Sequence, residues 1–466
     1  MCANYPKLPS CANFFHPQPL PLRFVAHERV YYKKKRQKGS LVDVSFNGFT
    51  AHSFKNHNGG YQYSRNIEAQ EDAKNEGFSE EALVRIPEKD RRWSWVEVSR
   101  SAIQYNVSET RRLLGQRCRL MAVVKADAYG HGANEVAKTA TAAGASYLGV
   151  ATVDEGIELR KADFREPILL LAEPPIESVP LLLHYRIIPS VYTSDFAINY
   201  AEIADAHNLK APFHLAINTG MNRIGVRHDQ VVEFISQISF HRALDLQGCF
   251  THFATADAAE TLDFQIQINR FVESMRALEA AGINPGIVHC DNSAAIYRFP
   301  KTHFDMARLG ISLYGYQPAN DTHRIITLRP AMSVFARITN VMQVPMSEGV
   351  SYGMNYRSPG SVKICTVPLG YADGLIRLLS GQIKFAYKDR AVAQVGNICM
   401  DQCMFEVDIR SRVGQQTLDP QIGDVVQIAG PNAHVDTSID TMARKAGTIQ
   451  HEVTIGLSHR MPRYYV

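Results

Sequence analysis

The 466-residue chain lacks most of the features that would assign it to a class at a glance. Its net charge is only +4, and much of that excess lies near the amino end, so no basic surface argues for a nucleic-acid partner. No apolar run is long enough to span a bilayer, and residues 1–20 lack the continuous apolar core of a secretory signal. The eight cysteines, Cys2, Cys11, Cys118, Cys249, Cys290, Cys365, Cys399 and Cys403, are scattered, with no CxxC pair and no histidine cluster at zinc-ligand spacing. The expectation is a cytoplasmic enzyme with reduced thiols, no metal, and neither a membrane nor a nucleic-acid partner.

At 45% hydrophobic, the chain can bury two cores. Residues 1–91 have a different texture: Pro6, Pro9, Pro17, Pro19 and Pro21, a basic run from Lys33 to Lys38, then polar residues. Nine Lys or Arg against Glu28 and Asp43 in the first 60 residues would suit an organellar transit peptide. The stretch is neither Ser-rich nor clearly amphipathic, so it reads as a poorly ordered extension.

Order begins with Trp93–Val98, which alternates like a strand, and Ser101 is placed to cap a helix over Ala102–Leu114 that ends at Gly115. Eight apolar runs of strand length follow, at 120–124, 147–151, 167–172, 187–192, 212–217, 244–250, 286–289 and 304–309. Stretches of helical spacing separate several of them, among them Asn134–Ala143, Asp154–Lys161, Gln230–Ile238 and Leu262–Ala280. The pattern predicts an α/β fold, a (β/α)8 barrel over residues 92–329 whose first strand could pair elsewhere. From residue 330 to 466 short alternating runs with frequent turns predict a mostly β carboxyl-terminal domain; Val334–Met342 is one such run, and helix returns only near Ile439–Ile455.

Barrel enzymes place their chemistry at the carboxyl ends of the strands. There the chain has Lys125 after its first run, Arg223 after the fifth, His252 after the sixth, Asn292 and Ser293 after the seventh, and Arg308 at the eighth. A desolvated lysine facing arginines, hydroxyls and glycines matches the needs of pyridoxal phosphate: an amine for its aldehyde, small polar groups for its phosphate, and a partner for its ring nitrogen. On residue types alone, His252 would be a core histidine, Tyr129 and Tyr371 packing aromatics, and Arg308 a surface ion-pair partner.

Val123-Val-Lys-Ala-Asp-Ala-Tyr-Gly-His-Gly132 closely resembles the cofactor-lysine motif of the alanine racemase family. The resemblance continues through Thr219–Gly225, Thr251–Asp257 and Asp305–Gly310, then Gly349–Gly353, Leu369–Gly374, Gly396–Asp401 and Arg460–Arg463, covering about residues 92–466. It implies interconversion of L- and D-alanine, the latter a precursor of cell-wall peptidoglycan. It also implies that Lys125 holds pyridoxal 5'-phosphate and serves one face of the substrate's Cα while Tyr352 serves the other. A tyrosine at its ordinary pKa of about 10 is a poor base at neutral pH, so cations must stand beside it, Arg223 being the candidate. By the same resemblance Arg308 faces the ring nitrogen with His252 behind it, and Tyr129, Asn292, Ser293, Gly310 and Ile311 surround the phosphate. Arg223 and Met400 would meet the substrate, Asp401 would orient the tyrosine, and Asp257, Tyr371 and Arg377 would line the entrance. In the family Tyr352, Tyr371, Met400 and Asp401 reach the barrel of the other subunit, which implies a homodimer with shared sites.

Three positions depart from the common pattern. Ala216 replaces a lysine that often supports the arginine seven residues later, leaving Asn218 or an anion for that task. His459 replaces a tyrosine near the phosphate, and Asn397 an arginine at the entrance. These leave serine or a broader range of amino acids as alternative substrates. A decarboxylase of the same architecture is the enzymatic rival, but it would pair the ring nitrogen with a carboxylate and carry a glycine-rich phosphate segment.

Overall fold

The apolar runs between Arg119 and Leu309 form eight buried strands: β1 Arg119–Val123, β2 Tyr147–Val150, β3 Ile168–Leu170, β4 Ile187–Val191, β5 Ala211–Asn218, β6 Leu244–Phe250, β7 Ile287–His289 and β8 Met306–Leu309. The computed structural model describes residues 91–408 and 418–466 in full. Elsewhere it describes only the strands Val42–Phe46, Phe49–Lys55, Tyr61–Tyr63, Arg412–Val413 and Gln416–Thr417. The chain divides into two units, Met1–Ser79 and Glu80–Val466. In the first, the three strands pair antiparallel; the prolines and the basic run of the expected extension lie outside the described residues.

Strands β1 to β7 pair in sequence order and β8 pairs with β1, all in parallel. Parallel strands covered by helices are apolar on both faces, which is why the runs were legible. Between β7 and β8 the ladder reduces to Asp305 N donating to Val288 O at 3.0 Å and Arg308 N to Asp291 O at 3.1 Å, with Asp305 Oδ2 accepting from Val288 N at 2.8 Å. The barrel is therefore nearly closed, and its seam lies beside Arg308.

Several strands stop short of their apolar runs because the last residues turn into the rim. Val124 leaves β1 at φ −114 and ψ 18, and Leu171 and Ala172, beyond β3, line the central cavity. The opening helix is Arg100–Leu114, and its cap is Ser99 rather than Ser101. Ser99 has the extended backbone of a cap and its side chain accepts from Ala102 N at 3.2 Å.

Ser94–Val98 pairs antiparallel with Met332–Arg337 and parallel with Arg463–Tyr465 in a nine-stranded sheet of the carboxyl-terminal domain. The run 334–342 is not one strand but two, Met332–Arg337 and Asn340–Val344, well separated in that sheet's order. The break lies at Ile338 and Thr339, whose amides turn to Asp424 O and Thr366 O respectively. Two helices, Ile439–Ala446 and Gln450–Gly456, follow, and the second lies on the rim of the barrel.

Gly130 permits that contact. At φ +78 its backbone is in the region that favours glycine, and a Cβ there would stand 2.4 Å from Thr454 O. Gly447 has a similar φ of +69 but nothing within 4 Å. Gly447→Ala should therefore lower unfolding free energy by about 1 kcal/mol, from backbone strain alone. Gly130→Ala should cost about 2–4 kcal/mol, because the clash adds to the strain. Denaturant titration of both variants checks the difference; equal losses would contradict the close packing.

Candidate active site

A cavity of about 630 Å³ opens at the carboxyl ends of the barrel strands and is lined by residues from the loops after most of them. Lys125, two residues past β1, enters it. Ala126, Asp127, Ala128 and Tyr129 then hold φ between 50 and 54, a left-handed turn made of non-glycine residues. Its first amide is anchored by Glu155. Glu155 Oε1 accepts from Ala126 N at 2.7 Å, and Oε2 accepts from Ala151 N at 2.7 Å and Thr152 N at 3.2 Å. Thr152 and Glu155 form the capping box of helix Val153–Lys161, so one carboxylate starts a helix and fixes the lysine turn. Burial lowers the pKa of Lys125, the nearby Arg223 lowers it further, and Glu155 opposes both.

Arg308 is buried, so the reading of it as a surface ion-pair partner is wrong. Its NH1 donates to His289 Nδ1 at 2.8 Å, and its NH2 to Thr251 O at 2.8 Å and Cys290 O at 2.9 Å, with His252 Nδ1 at 3.3 Å. Because His289 Nδ1 accepts, its proton is on Nε2, which donates to His214 Nδ1 at 2.9 Å. Burial and then the charge of Arg308 push His214 and His252 down to about 3, so both rings are neutral. Burial pushes Arg308 down to about 10, which leaves it a cation at neutral pH. The cavity wall thus presents a fixed positive charge held by neutral rings and carbonyls.

Another part of the cavity wall is a small polar cradle. Ser293 Oγ accepts from Gly310 N at 3.0 Å, and Asn292 caps helix Ser293–Arg298 through Ala295 N. A Cβ on Gly310 would stand 3.3 Å from Tyr129 Oη and 3.6 Å from Ser293 Oγ, so glycine leaves both hydroxyls room to face an incoming group. Ile311 is buried beside them. Tyr129 packs between Tyr314, at 4.8 Å between ring centroids, and His451, at 5.5 Å.

Two groups of the expected residues emerge. Lys125, Tyr129, Arg223, His252, Asp257, Asn292, Ser293, Arg308, Gly310 and Ile311 all line the cavity. Tyr352, Tyr371, Arg377, Met400 and Asp401 do not. They lie in turns of the carboxyl-terminal domain, Tyr352 being 74% exposed and Met400 53%. Hydrogen bonds join these turns: Tyr371 N donates to Cys399 O at 3.0 Å, Ala372 N to Met400 O at 2.9 Å, and the Asn397 side-chain Nδ2 to Tyr352 O at 2.7 Å. Asn397 therefore holds the Tyr352 turn. Asp401 receives Arg460 NH2 at 2.7 Å.

Of the other departures, Ala216 lines the cavity, and His459, on the surface, has its Nδ1 3.8 Å from Asp127 Oδ2. The Asn218 side chain bonds only within its own loop, to the Gly220 and Asn222 amides and the Asn222 side chain. Sequence reasoning missed Glu155, His214, His289 and His451. A capping box at 152–155 and histidines inside apolar strand runs were the available signals; His451, in a helix of the other domain, offered none.

Among the described residues no group of three or more His, Cys, Asp or Glu could hold a metal ion, and no helix is long and apolar enough to cross a membrane. Residues 98–318 match the alanine racemase N-terminal domain family, and residues 331–465 the alanine racemase C-terminal domain family. The alanine racemase of Desulfovibrio desulfuricans is 39% identical over 373 residues, covering 80% of this chain and 98% of that protein. The solved alanine racemase of Clostridium difficile matches at a TM-score of 0.75 and 36% identity, covering 80% of this chain and 96% of that one. The alanine racemase of Bacillus anthracis with bound L-Ala-P matches at a TM-score of 0.74 and 33% identity, covering 80% and 95%. The chain belongs to the alanine racemase family of pyridoxal phosphate-dependent isomerases.

Proposed function

We propose that the chain racemises alanine with pyridoxal phosphate held in the barrel cavity, using Lys125 of one copy and Tyr352 of a second as its two bases. The observation that carries this reading is the division of the residues: the cavity contains an amine and a buried cation, while the tyrosine turn is exposed and outside it. The cofactor fits the residues present. Ser293, Tyr129 and the Gly310 backbone suit its phosphate, Lys125 its aldehyde, and Arg308 its ring nitrogen.

When bound, pyridoxal phosphate makes the Cα proton of an attached amino acid acidic. The chain's own residues then direct that proton. Lys125 Nζ removes or returns it on one face, helped by a pKa lowered through burial and Arg223. Tyr352 Oη serves the other face, so a proton leaves one side and arrives on the other. Arg308 keeps its proton and would donate to the ring nitrogen of the bound cofactor, which would make that ring a weaker electron sink than one paired with a carboxylate. This favours racemisation over decarboxylation, which calls for a stronger electron sink. The other exposed apolar side chains of the tyrosine face, Met354 and Leu378, would be covered by the second copy.

L-alanine in deuterated water should lose optical rotation and gain deuterium at Cα together when the holoprotein is added; absence of exchange with alanine sinks the reading. Tyr352→Phe should slow racemisation from both enantiomers but slow solvent-deuterium entry at Cα from one enantiomer more than from the other, read by proton NMR starting from each.

Inactive Lys125→Ala and Tyr352→Phe subunits, mixed and allowed to exchange, should recover up to about a quarter of wild-type activity, because half the dimers carry one intact site. No recovery despite confirmed exchange would remove the cross-copy assignment. In the protein stripped of cofactor, the reactivity of Lys125 towards an amine reagent should titrate below 10.5. Arg223→Met should move that midpoint up, since a positive neighbour is lost, and Glu155→Gln should move it down. The reverse order, read by mass spectrometry of the Lys125 peptide, would contradict the electrostatics.

A further inference from the structure

A buried amide behind the cavity wall orders the two loops that carry Arg223 and His252. Gln267, on helix Leu262–Ala280, is 3% exposed. Its Oε1 accepts from Ala254 N at 2.9 Å, and its Nε2 donates to Thr219 Oγ1 at 3.1 Å and His252 O at 3.2 Å. The amide orientation is set by these partners, since a flipped side chain would turn donors towards the Ala254 N–H. Having accepted from Gln267, Thr219 Oγ1 turns its own proton to Thr251 Oγ1 at 2.8 Å, and Thr251 donates to Ile217 O at 2.8 Å. One direction runs through the whole series, from the helix to β5.

The groups held by the series belong to the site. Thr219 opens the loop leading to Arg223, and Arg270, one helical turn beyond Gln267, adds a bond from NH1 to Thr219 O at 3.0 Å. Thr251 O in turn receives Arg308 NH2 at 2.8 Å. Ala216 offers only a methyl group towards the Arg223 loop, and the Asn218 side chain bonds only within it. The side-chain support from outside that loop comes from the helix and from Thr251.

We propose that Gln267 is a positioning residue for racemisation, setting the Arg223 loop against the His252 loop through the directed series Gln267, Thr219, Thr251. This rests on the racemase reading. Gln267→Leu leaves Thr219 and the His252 carbonyl without a donor; Thr219→Val breaks the next link, and Thr219→Ser preserves it.

The test measures alanine racemisation, pyridoxal phosphate affinity by absorbance titration, and thermal midpoint for these variants and for Gln267→Leu/Thr219→Val. Each single break should lower kcat/KM by about ten- to a hundredfold, the cost of a small misplacement of reacting groups. Thr219→Ser should stay within about threefold of wild type, and the double variant should be no worse than about threefold below the weaker single, because both cut one series. Cofactor affinity should change less than about threefold throughout, since Lys125, Ser293 and Gly310 stand on other elements. Breaks that leave kcat/KM unchanged, or that multiply in the double variant, overturn the proposal. Should Gln267→Leu fail to fold, equal rates for Thr219→Val and Thr219→Ser overturn it alone. A wild-type protein that does not exchange alanine overturns both readings; an active wild type with indifferent variants overturns only this one.

Discussion

The site depends on a backbone conformation that four of its residues resist. Ala126 to Tyr129 are left-handed, at about 1–2 kcal/mol each, so the turn costs on the order of 4–8 kcal/mol before anything binds. It persists because both domains over-determine it. Glu155 fixes its first amide, Asp127 Oδ1 accepts from Ala133 N at 2.7 Å, and His131 Nδ1 reaches the carbonyls of Ala128 and Tyr129 at 3.1 and 3.0 Å. From the carboxyl-terminal domain, Arg463 Nε donates to Gly130 O at 2.8 Å and Thr454 closes over the same glycine. With this conformation Lys125 and Tyr129 both line one cavity.

Around that turn the chain concentrates positive charge, offset in part by Glu155 near Lys125 and by buried Asp291 near Arg308. Arg308 is satisfied by three carbonyls and neutral histidines, Arg223 stands at the mouth, and both bear on Lys125 or His252. A carboxylate in direct contact with Arg308 would cancel the field. Buried neutral histidines are the compatible alternative: they accept from the guanidinium while their own protonation is suppressed by it. The same field adds to burial in lowering the pKa of Lys125 and suits an anionic ligand.

The legible part of the fold and site has a physical basis. Strands buried on both faces are continuous apolar runs, so the eight strands and their carboxyl rim could be counted, and the cavity collects the rim residues expected there. Boundaries moved by one or two residues where apolar side chains such as Leu171 leave the strand and face the cavity instead of the core. The left-handed turn was not legible, because nothing in Ala-Asp-Ala-Tyr favours positive φ; tertiary contacts impose it. The helix cap fell to Ser99 because two serines competed and local spacing could not separate them. Glu155, His289 and Gln267 escaped because their importance lies in partners far along the chain. The tyrosine turn was assigned through family resemblance, and its exposure gives that assignment a physical motive.

All of these features converge on one atom, the side-chain nitrogen of Lys125. Reduction of the pyridoxal phosphate-loaded protein with borohydride, followed by peptide mass mapping, tests the account most directly. The expected result is a single pyridoxyl modification at Lys125, lost in Lys125→Ala. Stable modification of a different lysine, or none, would contradict it.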